Sequence, residues 1–498
     1  MRYILALDEG TTSARAALYD AEGRRVALES EPIEPRYPQP GWVEQDPEQI
    51  WQAQLVAVRR VLETSRVAAS EIAAIGITNQ RETTIVWERS SGRAVAPAIV
   101  WQCRRTADYC AELAASGRAS EITQRTGLVV DAYFSASKVR WILEHAPDAR
   151  ARAEAGELAF GNVDTWLVWR LTGGRVHVTD PSNASRTMLM NLATGDWDDT
   201  LLEWFGVPRA MLPRIMPSSA VVGVAEAGWF GAEIPISGLA GDQQAALAGQ
   251  ACFRAGLSKN TYGTGCFALL HTGDVRPVSS NRLLATRAAS TDARAQFAIE
   301  GSVFIAGAAV QWLRDQLGLI ATAAESEALA RSVPDTAGVY LVPAFVGLGA
   351  PHWDSAARGV ITGLTRAAGR AHIVRAALES IAYQTRDLIA AMEADAGRAL
   401  SELRVDGGAA ANDFLMQFQA DILDRPIVRP ADTETTALGA AFLAGLAVGF
   451  FKSVEQVESF WRVDRVFEPR MTASRREQLL AGWRDALARC RRRAWTGE

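Results

Sequence analysis

The stretch Asp8-Glu9-Gly10-Thr11-Thr12-Ser13 follows directly on the apolar run at residues 3–7, Tyr-Ile-Leu-Ala-Leu. The pattern predicts a buried strand that ends in a carboxylate and turns at a glycine. Three hydroxyl side chains then follow, beside backbone N–H groups that can meet anionic oxygens. Such a loop suits a phosphate group. The same residues also fit an ordinary β-hairpin, and taken alone they favour the hairpin.

The length, composition and charge of the chain limit the classes of protein to which it can belong. A chain of 498 residues is too long for one hydrophobic core, which predicts two to four domains at roughly 100–200 residues each. Hydrophobic residues make up 48%, charged residues 22%, and the net charge is -5. Nucleic-acid-binding proteins show a basic excess instead, so we expect no nucleic-acid partner.

The cysteine content and the hydropathy of the chain bear on the cellular compartment of the protein. Five cysteines, an odd number without the close pairs of a zinc site, fit a reducing, cytoplasmic environment. The apolar N-terminal run is too short for a signal peptide, so we expect no export. The uncharged run at residues 435–451 is shorter than the roughly 20 residues of a membrane helix and contains three glycines, which favours a buried helix and no membrane insertion. The arginines near the C-terminus indicate the last turn of a surface helix: Arg489, Arg491, Arg492 and Arg493.

A second apolar strand, at residues 72–77, delivers the polar segment at residues 78–84. An all-apolar strand is typical of a layered α/β sheet, and such sheets bind ligands at the carboxyl ends of their strands. Arg81 donates hydrogen bonds in a rigid fork and Glu82 accepts them, so the two can hold neighbouring hydroxyls of a polyol. A surface ion pair at a hairpin tip explains them equally well.

Further patterns concern aromatic side chains and secondary structure. Trp101 and Tyr133 can wall a substrate's carbon chain, although most tryptophans fill cores. Asp46 before Pro47 predicts a helix start, and residues 372–397 predict a long amphipathic helix that stops at Gly397. The Pro-, Gly- and Ser-rich segment at residues 208–237 is a candidate boundary or mobile loop.

Three more strand–glycine patterns follow in the second half of the chain and just before it. Asp242 ends an apolar strand and begins a small-residue helix, where a carboxylate can accept a proton from a substrate hydroxyl or can serve as a helix N-cap. Residues 263–265, Gly-Thr-Gly, repeat the pattern of the opening stretch and suggest duplicated halves. The double glycine at residues 407–408 leaves backbone bare for a flat heterocycle, with Asn412 as a hydrogen-bonding side chain.

The joint order of these patterns is more specific than any one of them. It predicts an α/β protein of two actin-like (ribonuclease H-like) domains, each a mixed sheet with helices, with the active site in the interdomain cleft. We expect the first domain, with the polyol site and the first phosphate loop, at residues 1–250. The second domain, with the second phosphate loop and the adenine site, is expected at residues 251–498.

The chain resembles the FGGY carbohydrate kinase family over essentially its whole length, and within it the members that act on glycerol. The shared stretches lie at residues 76–84, 101–106, 241–246 and 260–267, with the two family signature regions at 133–142 and 347–364. The resemblance implies MgATP-dependent phosphorylation of glycerol to sn-glycerol 3-phosphate. It also implies a homo-oligomer, a dimer or a tetramer.

The resemblance also implies roles for individual residues. Asp242 would be the general base, and Asp8 would orient Mg2+ through water. The glycerol-binding residues would be Arg81, Glu82, Trp101, Tyr133, Asp242, Gln243 and Phe267. The nucleotide-binding residues would be Thr11, Thr12, Ser13, Arg15, Thr264, Gly307, Gln311, Gly408 and Asn412.

Departures from the family pattern concern charge and regulation. Glu9 stands where most members have glutamine, so an extra carboxylate beside the phosphates could alter metal handling. The loop at residues 228–233 lacks the arginine through which some members bind fructose 1,6-bisphosphate. The chain has no histidine between His177 and His271, the loop where other members are phosphorylated. Both controls are therefore expected to be absent.

Two alternatives stay open at this point. A kinase for another sugar or ketose would share the family pattern, although Arg81 and Glu82 with Trp101 and Phe267 favour a small triol. An actin-like or chaperone-like ATP-driven binding module would share the phosphate loops. Such a module needs no polyol cluster, and its ATP hydrolysis would be indifferent to glycerol.

Overall fold

Two mixed β-sheets with flanking helices make up the protein, in a computed structural model that describes residues 2–292, 294–354 and 356–491. The strands are β1 (Tyr3–Glu9), β2 (Ser13–Tyr19), β3 (Arg25–Pro32), β4 (Glu44–Gln45), β5 (Ile72–Asn79), β6 (Ile85–Glu88), β7 (Ala98–Ile99), β8 (Leu158–Gly161), β9 (Val178–Thr179), β10 (Arg214–Ile215), β11 (Ser219–Ala225), β12 (Ile234–Gly241), β13 (Ser258–Tyr262), β14 (Cys266–Gly273), β15 (Leu284–Arg287), β16 (Phe297–Val303), β17 (Tyr340–Val342), β18 (Val360–Thr362), β19 (Leu403–Asp406), β20 (Ile427–Pro430) and β21 (Val463–Phe467).

The α-helices are α1 (Pro47–Ser65), α2 (Ala107–Leu113), α3 (Ala119–Thr126), α4 (Ser135–His145), α5 (Ala149–Glu154), α6 (Val163–Leu171), α7 (Pro181–Ala184), α8 (Asp199–Phe205), α9 (Ala227–Phe230), α10 (Asp242–Gly249), α11 (Gly307–Asp315), α12 (Glu325–Arg331), α13 (Arg370–Ala396), α14 (Asp413–Leu423), α15 (Thr435–Ala447), α16 (Val454–Phe460) and α17 (Ala473–Arg491). Short 3-10 turns lie at Ala69–Glu71, Arg209–Met211 and Gly408–Ala411, and a π turn lies at Ala114–Arg118.

The two large sheets, of six and seven strands, share the topology of a five-stranded core. The first has the strand order β11-β12-β5-β1-β2-β3, and the second has the order β15-β16-β14-β13-β19-β20-β21. In each, a central strand pairs antiparallel with the strand that follows it and parallel with a later strand: β1 with β2 and β5, β13 with β14 and β19. The duplication suggested by the two glycine-containing loops is confirmed at the level of strand topology.

Alternation along β1 decides which side chains face the second half of the chain. Ile4 and Ala6 pack in one apolar cluster with α15, whereas Leu5 and Leu7 pack in another with α1 and α6. Successive side chains of a strand point to opposite faces of the sheet. Asp8 therefore continues the face covered by α15, and Glu9 continues the face covered by α1.

Helices α10 and α15 lie between the two sheets. Helix α15 packs against β1, β5 and β12 of the first sheet and against α10, while α10 also contacts β13 and β14 of the second. The two helices approach closely at Gly249 and Gly439. A Cβ atom on Gly439 would lie 1.8 Å from the carbonyl oxygen of Ala245, and one on Gly249 would lie 1.9 Å from that of Thr435. Glycine at both positions lets α10 sit where the two sheets meet.

Several predictions of local structure are confirmed. Asp46 caps α1 by accepting a hydrogen bond from the N–H of Glu48, with Pro47 at the first helical position. Helix α13 ends at Gly397, whose φ is 64°. The run at residues 435–451 begins with the buried helix α15, and no helix in the described ranges is long and apolar enough to cross a membrane. All five cysteines are buried and free.

One prediction is wrong, and one lies partly outside the described residues. The segment at residues 208–237 is neither a boundary nor a loop, because β11 and part of β12 lie in it and pair within the first sheet. Gly223 lies inside β11 and Pro235 inside β12, so these residues do not mark a loop here. Arg489 and Arg491 lie in the last turn of α17, as expected, while Arg492 and Arg493 are outside the described residues.

Candidate active site

The first predicted phosphate loop is the turn of the β1–β2 hairpin, so the hairpin and the phosphate interpretations describe the same structure. The N–H of Gly10 donates to the carbonyl oxygen of Ser13 at 3.0 Å. Neighbouring amides brace the loop from behind, with Gln80 donating to the carbonyl of Gly10 and Gln45 to that of Thr11. Thr12 is exposed and Ser13 is half-buried. The loop is therefore held in place while its hydroxyls stay accessible.

Asp8 and Arg15 stand side by side at this hairpin. Arg15 Nη1 lies 3.8 Å from Oδ2 of Asp8 and donates to Oε2 of Glu434 at 3.0 Å. Burial raises the pKa of Asp8 to about 6; Arg15 lowers it, and the charges of Asp242 and Glu434 raise it further. An additional cation at this place would be favourable because Arg15 faces two carboxylates, Asp8 and Glu434, and the charge of Asp242 also acts on Asp8.

Glu9 does not stand beside the predicted phosphate site. Its side chain is fully buried on the face of β1 opposite to Asp8, and neither carboxylate oxygen has a hydrogen-bond partner among the described residues. Burial, together with the charge of Asp8, raises the pKa of Glu9 well above its usual range. The expectation that Glu9 adds charge beside the phosphates is therefore wrong, because strand alternation turns its side chain into the core.

Arg81 and Glu82 are buried, which excludes the surface ion pair at a hairpin tip. Arg81 is 3% exposed and Glu82 is 1% exposed, just after the carboxyl end of β5. Arg81 Nε lies 3.0 Å from Oδ1 of Asp242 and 3.9 Å from Oε1 of Glu82. The strand-end position thus brings the predicted polyol pair and the predicted general base together.

Asp242 is the first residue of α10, and Gly241 occupies the N-cap position. The N-cap interpretation of Asp242 is therefore wrong; its Oδ1 accepts the N–H of Gln243 at 2.7 Å, and its side chain remains 31% exposed. The helix N-terminus favours negative charge at this position. Asp242 is thus an accessible carboxylate fixed between a helix dipole and Arg81.

Gln243 is held by a lysine that the sequence analysis missed. Lys259, fully buried in β13, donates to Oε1 of Gln243 and to Oγ1 of Thr261. Burial lowers the pKa of Lys259, opposed by the charges of Asp406, Asp242 and Glu300. Since the amide oxygen of Gln243 accepts from lysine, its NH2 group is the part left to donate to a substrate hydroxyl.

The predicted aromatic walls come from both halves of the chain. Trp101 and Tyr133 meet edge to face with ring centroids 5.6 Å apart, and Trp101 Nε1 donates to Oγ1 of Thr11 at 2.9 Å. That bond ties the polyol cluster to the phosphate hairpin. Phe267 lies in β14 opposite Thr261 in the second sheet and is half-buried.

The second glycine loop lies at the β13–β14 hairpin and packs on the start of α11. The N–H groups of Ala306 and Gly307 donate to the carbonyls of Thr264 and Gly263 at 2.8 and 3.0 Å. A Cβ atom on Gly307 would lie 2.6 Å from the carbonyl oxygen of Gly263, so glycine is required for this contact. Thr264 and Gln311 are exposed. The structure brings these predicted nucleotide residues together at one hairpin.

The predicted adenine residues lie at the end of β19. Gly407 has a φ of 83°, and the space around Gly408 is open to 4 Å. Asn412 is the N-cap of α14, where its Oδ1 accepts the N–H of Leu415 at 2.9 Å and its Nδ2 donates to Ser326 at 3.3 Å. The amide of Asn412 therefore keeps one N–H and one lone pair for a heterocycle.

The sequence analysis missed two further charged residues, Arg186 and Glu300. Arg186 Nε donates to Oε1 of Glu82 at 2.6 Å, and Glu300 accepts from two nitrogens of Arg81. Both side chains are fully buried. Nothing in the local sequence marks them, because an arginine beyond a short helix and a glutamate inside an apolar strand acquire these partners only in the fold.

The donor set is compatible with Mg2+ but does not form a complete metal site. No three His, Cys, Asp or Glu side chains of the described residues form a group that could hold a metal ion. Mg2+ is commonly bound by one or two carboxylates together with substrate phosphates and water. Asp8 beside the phosphate hairpin fits that mode of binding.

Comparisons with known proteins agree with this geometry. The sequence matches the family models described as "FGGY family of carbohydrate kinases", the N-terminal domain over residues 3–249 and the C-terminal domain over residues 258–448. It is 59% identical to a glycerol kinase of Symbiobacterium thermophilum, with 100% of this chain and 99% of the relative covered. It is 57% identical to glycerol kinase 2 of Thermotoga maritima, with 98% and 99% covered.

A solved structure extends the agreement to the fold. The crystal structure of Plasmodium falciparum glycerol kinase with ADP superposes with a TM-score of 0.94 at 36% identity, covering 99% of each chain. The first family model contains every strand of the first large sheet, and the second contains every strand of the second large sheet except β21. The chain is a kinase and belongs to the FGGY family of carbohydrate kinases.

Proposed function

We propose that the protein transfers the γ-phosphoryl group of ATP to glycerol and forms sn-glycerol 3-phosphate. The observation that supports this most is the 3.0 Å contact between the accessible Asp242 carboxylate and the buried Arg81, between the two phosphate hairpins. The names of the relatives, glycerol kinase in both sequence matches and in the solved structure, point to the same substrate.

The polyol cluster explains binding of a small triol. Arg81 and the NH2 group of Gln243 donate hydrogen bonds, while Glu82 and Asp242 accept them, so adjacent hydroxyls can each donate and accept. Trp101, Tyr133 and Phe267 offer apolar surface to the carbon chain. A ketose would need further polar partners at these aromatic side chains.

Asp242 acts as the general base. Its carboxylate takes the proton of the terminal glycerol hydroxyl as the hydroxyl oxygen forms a bond to the γ-phosphorus. The bond from that phosphorus to the β–γ bridging oxygen breaks, and ADP leaves with the electron pair. Phosphoryl transfer depends mainly on positioning and charge stabilisation, so one well-placed carboxylate suffices.

The phosphate groups lie between the two hairpins. Thr11, Thr12, Ser13 and Arg15 hold them from the first sheet, and Thr264, Gly307 and Gln311 hold them from the second. Gly408 and Asn412 contact the adenine. Asp8 would hold Mg2+ through water, and the ion would supply charge neutralisation at the phosphates. Closure of the two domains keeps water from the phosphoryl group.

The test measures ADP formation with and without glycerol, in wild type and in Asp242→Asn. We expect glycerol-dependent ADP in wild type and a loss of about 10^2- to 10^4-fold in kcat in the variant, the contribution of a general base. Binding of a non-hydrolysable ATP analogue should be kept. The matched control is Asp199→Asn, since Asp199 is the first residue of α8 as Asp242 is of α10, but its side chain is 83% exposed.

Two outcomes would contradict the proposal. ADP formation that does not depend on glycerol would favour an ATP-driven binding module. Turnover of a ketose in preference to glycerol would make the ketose the substrate, while the family assignment would stay the same. Full turnover by Asp242→Asn would remove Asp242 as the base while leaving the substrate assignment intact.

We also propose the domain boundary after residue 250, supported by the change from the first sheet to the second between β12 and β13. A dimer or tetramer, a cytoplasmic location, and the absence of control by fructose 1,6-bisphosphate and by loop histidine phosphorylation stay predictions. The short helix α9 lies in the loop that would carry both controls.

A further inference from the structure

Four charged side chains form a buried cluster at the candidate polyol site: Arg81, Glu82, Arg186 and Glu300. Arg81 donates from Nη1 to Oε2 of Glu300 at 2.5 Å and from Nη2 to Oε1 at 2.9 Å. Arg186 Nη2 lies 3.3 Å from Oε1 of Glu300. Each of the four side chains is at most 2% exposed, and the two arginines balance the two glutamates.

Glu300 belongs to a different half of the molecule from its partners. It lies in β16 of the second sheet, paired with Leu269 and Leu284, whereas Arg81 follows β5 of the first sheet. A neighbouring contact crosses in the same way, since Gln244 of α10 donates to Oγ1 of Thr286 at 3.0 Å. The bidentate pair therefore joins the two sheets beside the site.

The pair also fixes which donors of Arg81 remain for a substrate. A guanidinium group has five N–H donors. Glu300 takes one from each terminal nitrogen, and Gln244 accepts a second from Nη1 at 3.3 Å. The donors left are Nε–H, which faces Asp242, and one N–H on Nη2. The fork is thereby held with one edge toward the general base.

Stability alone does not explain a buried ion pair of this kind. Desolvation of both charges offsets most of their attraction, so a buried pair commonly contributes little compared with apolar residues of the same volume. Burial would raise the pKa of Glu300, but Arg186 and Arg81 outweigh that effect and hold its pKa at about 2. Glu300 is thus a permanent anion in the protein, placed where it orients an arginine.

We propose that Glu300 is a positioning residue for the polyol site: it holds the Arg81 guanidinium beside Asp242 and thereby makes polyol binding depend on contact between the two domains. The inference rests on the proposed function, because Arg81 must be the residue that binds the substrate hydroxyl. Glu300 itself acts through Arg81 and need not touch the substrate.

The experiment compares wild type, Glu300→Gln and Glu300→Asp in steady-state kinetics and in calorimetric titration with glycerol. We expect Glu300→Gln to raise KM and Kd for glycerol about 10- to 100-fold, the effect of losing one charge-assisted hydrogen bond. The KM for ATP should change less than about twofold. A positioning residue affects mainly the KM for glycerol, whereas a general disruption of the structure would affect both KM values. Glu300→Asp keeps the charge with a shorter reach, and we expect an intermediate effect.

A matched control is Glu379→Gln. Glu379 is also a buried glutamate of the second half and pairs with Arg375 at 2.8 Å, but it lies in α13 outside the site. The Glu379→Gln variant should have a lower unfolding temperature than wild type and an unchanged KM for glycerol. Should Glu300→Gln fail to fold, Glu300→Asp decides the question.

Failure of the inference and failure of the proposed function are distinguishable. A wild-type protein without glycerol-dependent ADP formation would overturn the proposed function, and this inference with it. An active wild type whose Glu300→Gln and Glu300→Asp variants keep the wild-type KM and Kd for glycerol would overturn the inference alone. Equal increases in KM for glycerol and for ATP would also overturn it.

Discussion

At the scale of single residues, the consecutive carboxylates Asp8 and Glu9 have different surroundings because they lie on opposite faces of β1. The Glu9 side chain is fully buried on the face of β1 opposite to Asp8, so we expect Glu9→Gln to leave the Mg2+ dependence of ADP formation and the KM for ATP within about twofold of wild type. Titration of Mg2+ at fixed ATP and glycerol measures this. A shifted Mg2+ requirement would place the Glu9 carboxylate at the phosphates after all.

The buried carboxyl group of Asp164 in α6 is expected to make the free energy of unfolding depend on pH. Burial raises its pKa to about 7, with the charge of Asp180 adding and the hydrogen bond from Thr179 opposing. Between about pH 4 and 7 the unfolded chain ionises Asp164 while the folded protein keeps it protonated. Its contribution to the free energy of unfolding therefore falls as the pH rises, by roughly 4 kcal/mol over the interval.

Asp164→Asn removes this loss, since asparagine stays neutral and still accepts from Thr179. We expect the free energy of unfolding of the variant, relative to wild type, to grow by about 1.4 kcal/mol for each pH unit between pH 5 and 7. Denaturant titrations across that range measure it, with Asp199→Asn, at an exposed side chain, as the control for an Asp-to-Asn change. Parallel curves for Asp164→Asn and wild type would mean that Asp164 is ionised in the folded protein.

Residue patterns predicted candidate site residues in both halves of the chain but missed three buried charged residues, Arg186, Lys259 and Glu300. Arg81 and Glu82 were found because polar residues at the end of an apolar strand are unusual. Glu300 lies 219 positions from Arg81 in the sequence, and Lys259 lies in β13 among the polar residues Ser258, Asn260 and Thr261, where nothing in the sequence sets it apart. Their roles depend on which faces of two sheets meet, and that is set by packing between domains.

At the scale of elements, the contact between α10 and α15 sets the position of Asp242. Gly439 lets the backbones touch, and an added Cβ would meet the carbonyl oxygen of Ala245 at 1.8 Å. We expect Gly439→Ala to push α10 away from α15, lowering kcat about tenfold or more through misplacement of Asp242 and lowering the unfolding temperature. Steady-state kinetics and thermal unfolding measure the two effects.

The control for that change is Gly228→Ala in α9, where no atom lies within 4 Å of the new Cβ. It should leave kcat and the unfolding temperature close to those of wild type. If Gly439→Ala lowered the unfolding temperature while kcat stayed at the wild-type value, α10 would tolerate displacement and the close contact would serve stability alone.

Helix α15 shows what the hydropathy of a segment can and cannot predict. The uncharged run at residues 435–451 predicted a buried helix correctly, from its length and its three glycines. It gave no information on what buries the helix. In the structure α15 lies in the chain between β20 and β21 of the second sheet but covers the first sheet, a placement that depends on the path of the chain between the two halves.

At the scale of the whole molecule, the five-stranded cores of the two sheets repeat one topology, and the sequence suggested this only through two short glycine loops. Side chains on equivalent strands differ, because the proposed polyol cluster lies mainly in one half and the proposed adenine site in the other. The backbone pattern of a loop between two strands survives such differences since it needs glycines at fixed places. The repeat could therefore be recognised in the sequence of the turns but not in the sequence of the strands.

This arrangement predicts mutual enhancement of substrate and nucleotide binding. In the proposed mechanism the nucleotide phosphates contact hairpins from both sheets, and the polyol site needs Glu300 of the second sheet beside Arg81 of the first. Both ligands are therefore expected to favour the same domain arrangement. Saturating glycerol should tighten binding of a non-hydrolysable ATP analogue by about 5- to 150-fold, and the saturating analogue should tighten glycerol binding by the same factor. Calorimetric titration of each ligand with and without the other measures both factors. Unequal factors would show that a third process is linked to one of the titrations, and factors of one would mean that the two sites form independently and that the domains do not couple them.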